Sequence, residues 1–210
     1  LVDEKNELGG STVYENNEFN KINNKTPSEW LKKEIEELKN IKNLEIKTRT
    51  SVAAYHQYNY LLARENLTDH LEAKDKTNKI RQRLLKIRAK KVILATGALE
   101  RPLIFNNNDR PGIMLSSAIK KYSEFYGVAC GSKNVFFTNN DSAYESAISL
   151  CNKGINVEAI IDIREQSESK IVKKVKEAGI KIYWSHSIVD TTGYKRLNSI
   201  SIMKLSNDCL

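Results

Sequence analysis

From about residue 111 the chain alternates short apolar runs with amphipathic segments, and this alternation restricts the fold more than any other feature. Ser116–Tyr126 has helical spacing, with Ile119, Tyr122 and Tyr126 on one face. Asn134–Thr138 follows as a strand, then Ser142–Asn152 as a helix ended by Gly154. Val157–Ile161 is a strand closing on Asp162, Ser169–Ala178 a helix ended by Gly179, and Ile180–Trp184 a further strand. Parallel neighbours in a sheet cannot be joined by a tight turn; they need a crossover, usually a helix. Strand and helix alternating at this spacing therefore predict a doubly wound parallel sheet. Two weaker strands, near 187–192 and 198–205, resemble a β-meander.

The first part reads differently. Leu1-Val2 followed by Asp3-Glu4 is the end of a strand, and Gly9-Gly10 is a glycine turn. Residues 12–25 carry many Asn and no periodicity, so they form loop. Thr26-Pro27-Ser28-Glu29 starts a helix: Thr26 caps, Pro27 takes the first helical position and Glu29 completes a capping box. Leu31, Ile35 and Leu38 give that helix its apolar face, with Trp30 and Ile41 at its margins. Residues 44–89 hold short alternating runs around a polar turn at Gln57-Tyr58-Asn59, which predicts an antiparallel meander. Lys91–Ala95 is a nearly continuous apolar run, as for a strand buried on both faces. Acidic strand end, double glycine, helix, meander and apolar strand into Ala-Thr-Gly is the order found in flavoproteins with two dinucleotide-binding domains. The expected fold is therefore α/β and glutathione-reductase-like. Residues 1–110 would be a partial first dinucleotide-binding domain with its meander, and 111–210 a second, degenerate and incomplete one. The chain is expected to be a piece of a longer protein, cut at both ends.

That order picks out the candidate cofactor contacts. Asp3 and Glu4 end a strand where a carboxylate accepts hydrogen bonds from an adenosine ribose. Its negative charge would repel a 2′-phosphate, favouring NAD or FAD over NADP. An acidic residue in such a place is otherwise simply solvated. Gly9 and Gly10 let the backbone pass close to a cofactor, and Ala95, Thr96 and Gly97 are small enough for a loop to approach it. The second strand-turn-helix, Phe136 to Ala143, has Asn139-Asn140-Asp141-Ser142 where a pyrophosphate loop needs glycines. An aspartate there also competes with phosphate for the helix N–H groups. This half would keep the fold without its usual ligand, although Asp162 still ends the next strand where a ribose contact would fall.

The net charge is +8, yet the lysines come as scattered pairs, at 32–33, 90–91, 120–121 and 173–174. Nucleic-acid binding wants such charge gathered on one face, so no nucleic-acid partner is expected. No apolar run reaches the roughly 18 residues of a membrane span, and Leu1-Val2-Asp3-Glu4 shows no signal peptide. Cys130, Cys151 and Cys209 lack C-x-x-C spacing and read as small buried hydrophobes in a reducing compartment, so a cytoplasmic location follows and no metal site is expected. His56, His70 and His186 have no triad spacing and read as structural or exposed. Asp109-Arg110-Pro111-Gly112 is a turn by local chemistry, with a hinge between the halves as its plain role.

Ala95 to Leu103, Asn108 to Met114 and Phe137 to Tyr144 make the chain resemble the alpha subunit of heterotetrameric sarcosine oxidases, and Val2-Asp3-Glu4 and Gly9-Gly10-Ser11 fit as well. The resemblance implies an enzyme that demethylates sarcosine to glycine with oxygen, giving hydrogen peroxide and formaldehyde or methylene-tetrahydrofolate. It implies NAD in the alpha subunit, FAD and FMN in the full complex, tetrahydrofolate as co-substrate, and beta, gamma and delta subunits as partners. Of the family's sites only Glu4, Gly9, Gly10 and the 95–97 loop carry over, and no catalytic residue can be named. The glycine-rich loop expected ahead of Leu1 and the folate domain are not in the sequence. Ser11-Thr12 follows Gly10 where a disulfide reductase would have a cysteine pair. Alpha subunits of amino-acid and opine dehydrogenases share part of the pattern, and an NADH-dependent flavin reductase is a further alternative.

Overall fold

A computed structural model describes residues 1–15, 21–77 and 79–206; Cys209 lies outside them. The chain forms two compact units, Leu1–Ala98 and Leu99–Leu210.

In the first unit, Leu1–Lys5 runs parallel to residues 45–49. The Leu1 carbonyl accepts from Lys47 N–H at 2.9 Å, Asp3 N–H donates to the Lys47 carbonyl at 2.9 Å, and the Asp3 carbonyl accepts from Thr50 N–H at 2.8 Å. Helix α1, Pro27–Lys39, starts with the expected reciprocal capping box: Thr26 accepts from Glu29 N–H, and Glu29 accepts from Thr26 N–H. Its apolar side chains Leu31, Ile35 and Leu38 are half-buried. Strands β1 (Thr50–His56), β2 (Tyr60–Asn66) and β3 (Gln82–Arg88) make the antiparallel meander in that order. The polar turn between β1 and β2 carries Tyr58 and Asn59 at φ 59° and 52°. A one-turn helix, α2 (Ala73–Lys76), precedes β3.

Lys91–Ala95 departs from expectation. It forms no strand, and Ile93 and Leu94 are 91% and 67% exposed. A strand buried on both faces needs a neighbour on each edge, and among the described residues none pairs with it.

The second unit follows the predicted alternation closely. Helix α3 (Ser116–Glu124), β4 (Asn134–Thr138), α4 (Ser142–Asn152), β5 (Val157–Asp162), α5 (Lys170–Glu177) and β6 (Lys181–Trp184) occur in sequence. The strands form a parallel sheet in the order β4-β5-β6. Side chains of a strand alternate between faces, so Ile160 and Ile161 serve different cores. Ile160 packs with Phe136, Tyr144, Leu150, Val172 and Val175 under the helices. Ile161 packs with Ala159 and Ile188, joined by Phe105, Phe137 and Tyr183. Ile188 belongs to β7 (His186–Thr192), which with β8 (Ser199–Lys204) makes a two-stranded antiparallel hairpin. Gly154 and Gly179 end their helices at φ 73° and 77°, the left-handed C-terminal cap for which glycine is suited.

On α3 the buried side is Ile119, Lys120 and Ser123. Tyr122 and Tyr126 do not share it; they pair with each other, rings 5.7 Å apart, on the exposed side. Cys130 is exposed rather than buried, while Cys151 is half-buried.

Candidate functional site

The first candidate site is the loop that follows Leu1–Lys5. Backbone pairing with residues 45–49 fixes the approach of the chain, and Asp3 Oδ1 then accepts from Lys5 N–H at 2.8 Å to turn it. The Glu4 carboxylate points to solvent, 64% exposed, with the Lys5 ammonium 3.1 Å away. Such an exposed pair holds Glu4 only weakly, so its oxygens can accept from a ligand's hydroxyls. Gly9 and Gly10 play separate parts. At Gly9, φ 119°, a Cβ would collide with Leu31 Cδ2 and lie 3.0 Å from Leu31 Cδ1 and Val13 Cγ2. At that φ any other residue is strained, and the side-chain tips of Leu31 and Val13 would also have to shift. Gly10, φ 57°, has open space where a Cβ would stand, which suits close approach of a ligand.

Ala95, Thr96 and Gly97 are exposed, with Gly97 at φ 71° and open. No hydrogen bond or ion pair among the described residues joins them to residues 3–10. The structure gathers Asp3, Glu4, Gly9 and Gly10 on one loop and leaves 95–97 without a bond to it.

The second candidate is the carboxyl edge of the parallel sheet, where doubly wound folds bind their ligands. Here the turn after β4 satisfies its own donors. Thr138 Oγ1 accepts from Asn140 N–H at 3.1 Å and donates to the Asn140 carbonyl at 2.9 Å. Asn140 Oδ1 accepts from Ser142 N–H at 3.0 Å and from its hydroxyl at 2.6 Å. Asp162, at the end of β5, is fully buried. It accepts from the Tyr144 hydroxyl at 2.7 Å, from Arg164 N–H at 2.9 Å, and from Arg164 Nε and Nη2 at 3.1 and 2.7 Å. Arg164 Nη2 also reaches Asp141 Oδ1 at 2.8 Å.

The electrostatics follow from these contacts. Burial, then the bond to Asp162, pushes the Tyr144 hydroxyl far above its ordinary range. The Asp162 hydrogen bond, against some desolvation and with help from Asp141, fixes the charge on Arg164. Desolvation works to raise the Asp141 carboxyl, but Ser169 and Arg164 outweigh it and hold the group below its usual value. Sequence reasoning found Asp141 and Asp162 but missed Arg164 and Tyr144. The available signal was Arg164 two residues beyond an aspartate that ends a strand.

The stretch from Leu99 to Gly112 is bonded within the second unit. Both Glu100 oxygens accept backbone donors of α3, Ser116 N–H at 3.0 Å and Ser117 N–H at 2.7 Å. Asn106 and Asn107 donate to Asp190 at 3.0 and 2.9 Å. Arg110 Nε donates to Thr191 Oγ1 at 3.1 Å and its Nη1 to the Gly193 carbonyl. Asp109–Gly112 is therefore bonded onto the β7–β8 hairpin. Of the histidines, His56 and His70 are exposed, and His186 Nδ1 lies 2.6 Å from the Trp184 carbonyl. No group of three or more potential metal ligands occurs among the described residues, and none of their helices is long and apolar enough to cross a membrane.

No family profile matches the chain. Among curated proteins, the alpha subunit of sarcosine oxidase from Corynebacterium sp. strain P-1 is 36% identical over 210 residues, covering 99% of this chain. The same subunit from Corynebacterium sp. strain U-96 is 35% identical over 191 residues, covering 91%. The chain belongs with the sarcosine oxidase alpha subunits. It spans about one fifth of the length of these relatives, 21% and 19%. Among solved structures, T. acidophilum thioredoxin reductase superposes with a TM-score of 0.67 at 16% identity, covering 98% of this chain and 62% of that one. L-Proline dehydrogenase from P. horikoshii gives 0.60 at 20% identity, covering 97% and 34%. The likeness establishes the fold of a two-dinucleotide-domain oxidoreductase. In this chain Ser11-Thr12 follow the double glycine, so no cysteine pair stands there.

Proposed function

We propose that this chain is the nucleotide-binding stretch of a sarcosine oxidase alpha subunit and that its first half, residues 1–110, holds NAD. The reading rests on the match to sarcosine oxidase alpha subunits along the whole chain, and the loop at residues 3–10 supports it. Glu4, with Asp3 bracing the turn beneath it, accepts the ribose hydroxyls. Gly10 admits the cofactor backbone, and Ala95, Thr96 and Gly97 cover it from the second loop. The exposed, weakly held Glu4 carboxylate and the open space at Gly10 fit this role. Bound NAD would supply a dinucleotide whose nicotinamide can accept hydride; the residues of this chain bind and orient its adenosine end.

The whole enzyme would act on a CH–NH donor, oxidising sarcosine to glycine with oxygen and releasing hydrogen peroxide with formaldehyde or methylene-tetrahydrofolate. FAD and FMN, the beta, gamma and delta subunits and tetrahydrofolate belong to that complex, which would work in the cytoplasm. The groups that touch the amine lie outside this chain's candidate sites.

The test is chemical. Nucleotides released from the intact complex and separated by chromatography should include NAD; recovery of NADP alone sinks the reading. Glu4→Ala should weaken NAD retention by about 1–3 kcal/mol, the scale of hydrogen bonds to a charged group.

A further inference from the structure

We propose that Arg164 acts as an internal ligand of the second half, clasping the carboxyl edge of its sheet shut where a nucleotide would otherwise lie. In a dinucleotide fold the pyrophosphate bridges the turn after one strand, and the ribose is held at the end of the next. Here those two points are Asp141, at the start of α4, and Asp162, at the end of β5. A single guanidinium spans them, 2.8 Å from one carboxylate and 2.7 Å from the other. Its Nε adds a second bond to Asp162, giving the two-point geometry that a planar fork makes with a carboxylate.

Two aromatic side chains complete the surroundings. Tyr144, from α4, donates to Asp162 Oδ2, the oxygen that Arg164 Nη2 also contacts, and stacks on Trp184 of β6 with ring centroids 6.1 Å apart. The Arg164 guanidinium lies 5.8 Å from the centre of the Tyr144 ring. Strand β5, the start of α4 and the turn after β4 are thus tied at one point. A nucleotide carrying two phosphates would have to displace the guanidinium and then meet two carboxylates, one fully buried. That exchange is unfavourable at every contact. The inference concerns the second half alone and stands or falls separately from the NAD reading of the first.

The experiment is a coupling measurement on the 210-residue chain, with Trp184 fluorescence followed in a Trp30→Phe background. Arg164→Met and Asp141→Asn should each lower the folded-to-unfolded ratio of this unit. The double variant should lose about tenfold less than the product of the two, because the residues act through one contact. Additive losses would overturn the clasp. Should Arg164→Met fail to fold, Arg164→Lys keeps the charge without the fork and serves in its place. Independently, hydrogen exchange of the unaltered chain with excess NAD should show no added protection over residues 138–145 and 162–166. Protection there would overturn the proposal, whatever happens at residues 3–10.

Discussion

The Tyr144 hydroxyl donates to Asp162 at 2.7 Å in the interior of the second unit, and both side chains are fully buried. The bond joins α4 to the end of β5 and gives Asp162 Oδ2 a second donor beside Arg164 Nη2. Removing the hydroxyl leaves a buried charge short of a partner. Tyr144→Phe should therefore destabilise the unit by about 1–3 kcal/mol, read as a lower denaturation midpoint with an unchanged slope. Pairing it with Asp162→Asn should recover part of that loss, since a neutral amide needs its partners less. A loss equal to the sum of both singles would show that the bond contributes nothing.

Glu100 gives a prediction in pH. Desolvation works to raise its carboxyl, but the Ser117 and Ser116 donors outweigh it and leave the group below the ordinary 4.5. A carboxyl lowered on folding adds stability that is fully present above its unfolded value and disappears as pH falls through the folded one. In acid the α3 start should therefore loosen first in its Ser116 and Ser117 amides. Hydrogen exchange of those amides against pH should steepen below 4.5 in the native chain and stay flat in Glu100→Gln. Equal pH profiles in the two would refute the assignment.

Gly9 and Gly10 adjoin in sequence yet should respond differently to alanine. At Gly9 the new methyl meets Leu31 and Val13, at φ 119°. Gly9→Ala should cost about 1–3 kcal/mol of stability through overpacking and an unsuited backbone. At Gly10 the space is open and φ is 57°, so the cost should be about 1–2 kcal/mol from the left-handed conformation alone. NAD retention by the intact complex is the discriminating measurement. It should fall more in Gly10→Ala than stability does, whereas in Gly9→Ala the two should fall together.

How much of this was legible in the sequence depends on what each element needs from afar. Helix α4 was placed at its observed limits, because an amphipathic face and Gly154 are local signals. The capping box at Thr26 and Glu29 is local too. Lys91–Ala95 reads as a buried strand, yet burial of a strand is conferred by neighbours, and the described residues provide none. Tyr122 and Tyr126 have the spacing of a core face, but whether a helix face is covered depends on the partner it meets. At the candidate site, Glu4 and the glycines were picked out because strand order marks where a ligand contact would fall. Arg164 was missed because its two partners lie 23 and 2 residues away in sequence, as the residue numbers 141, 162 and 164 show, and only the folded sheet brings them to one guanidinium.

The two units should differ sharply in autonomy. The twelve-residue cluster from Ile119 to Ile180 and the smaller one around Ile161 both lie in Leu99–Leu210. They cover both faces of a three-stranded parallel sheet. In Leu1–Ala98 the fully buried apolar side chains of the meander reduce to Leu61 and Ala63, while Val52, Tyr55 and Leu84 remain exposed. Ile93 and Leu94 add an uncovered apolar run with unpaired backbone, the kind of edge that recruits other chains. Burial of apolar surface is the main term opposing chain entropy, so only the second unit has enough of it. Residues 99–210 expressed alone should unfold in one cooperative transition with well-dispersed amide signals. Residues 1–98 alone should unfold gradually and bind a hydrophobic dye, with association increasing at higher protein concentration. Substituting Ile93→Lys and Leu94→Lys should reduce that association without lowering the meander's strand content. A sharp transition in residues 1–98 would mean that the exposed apolar run is not what limits this unit.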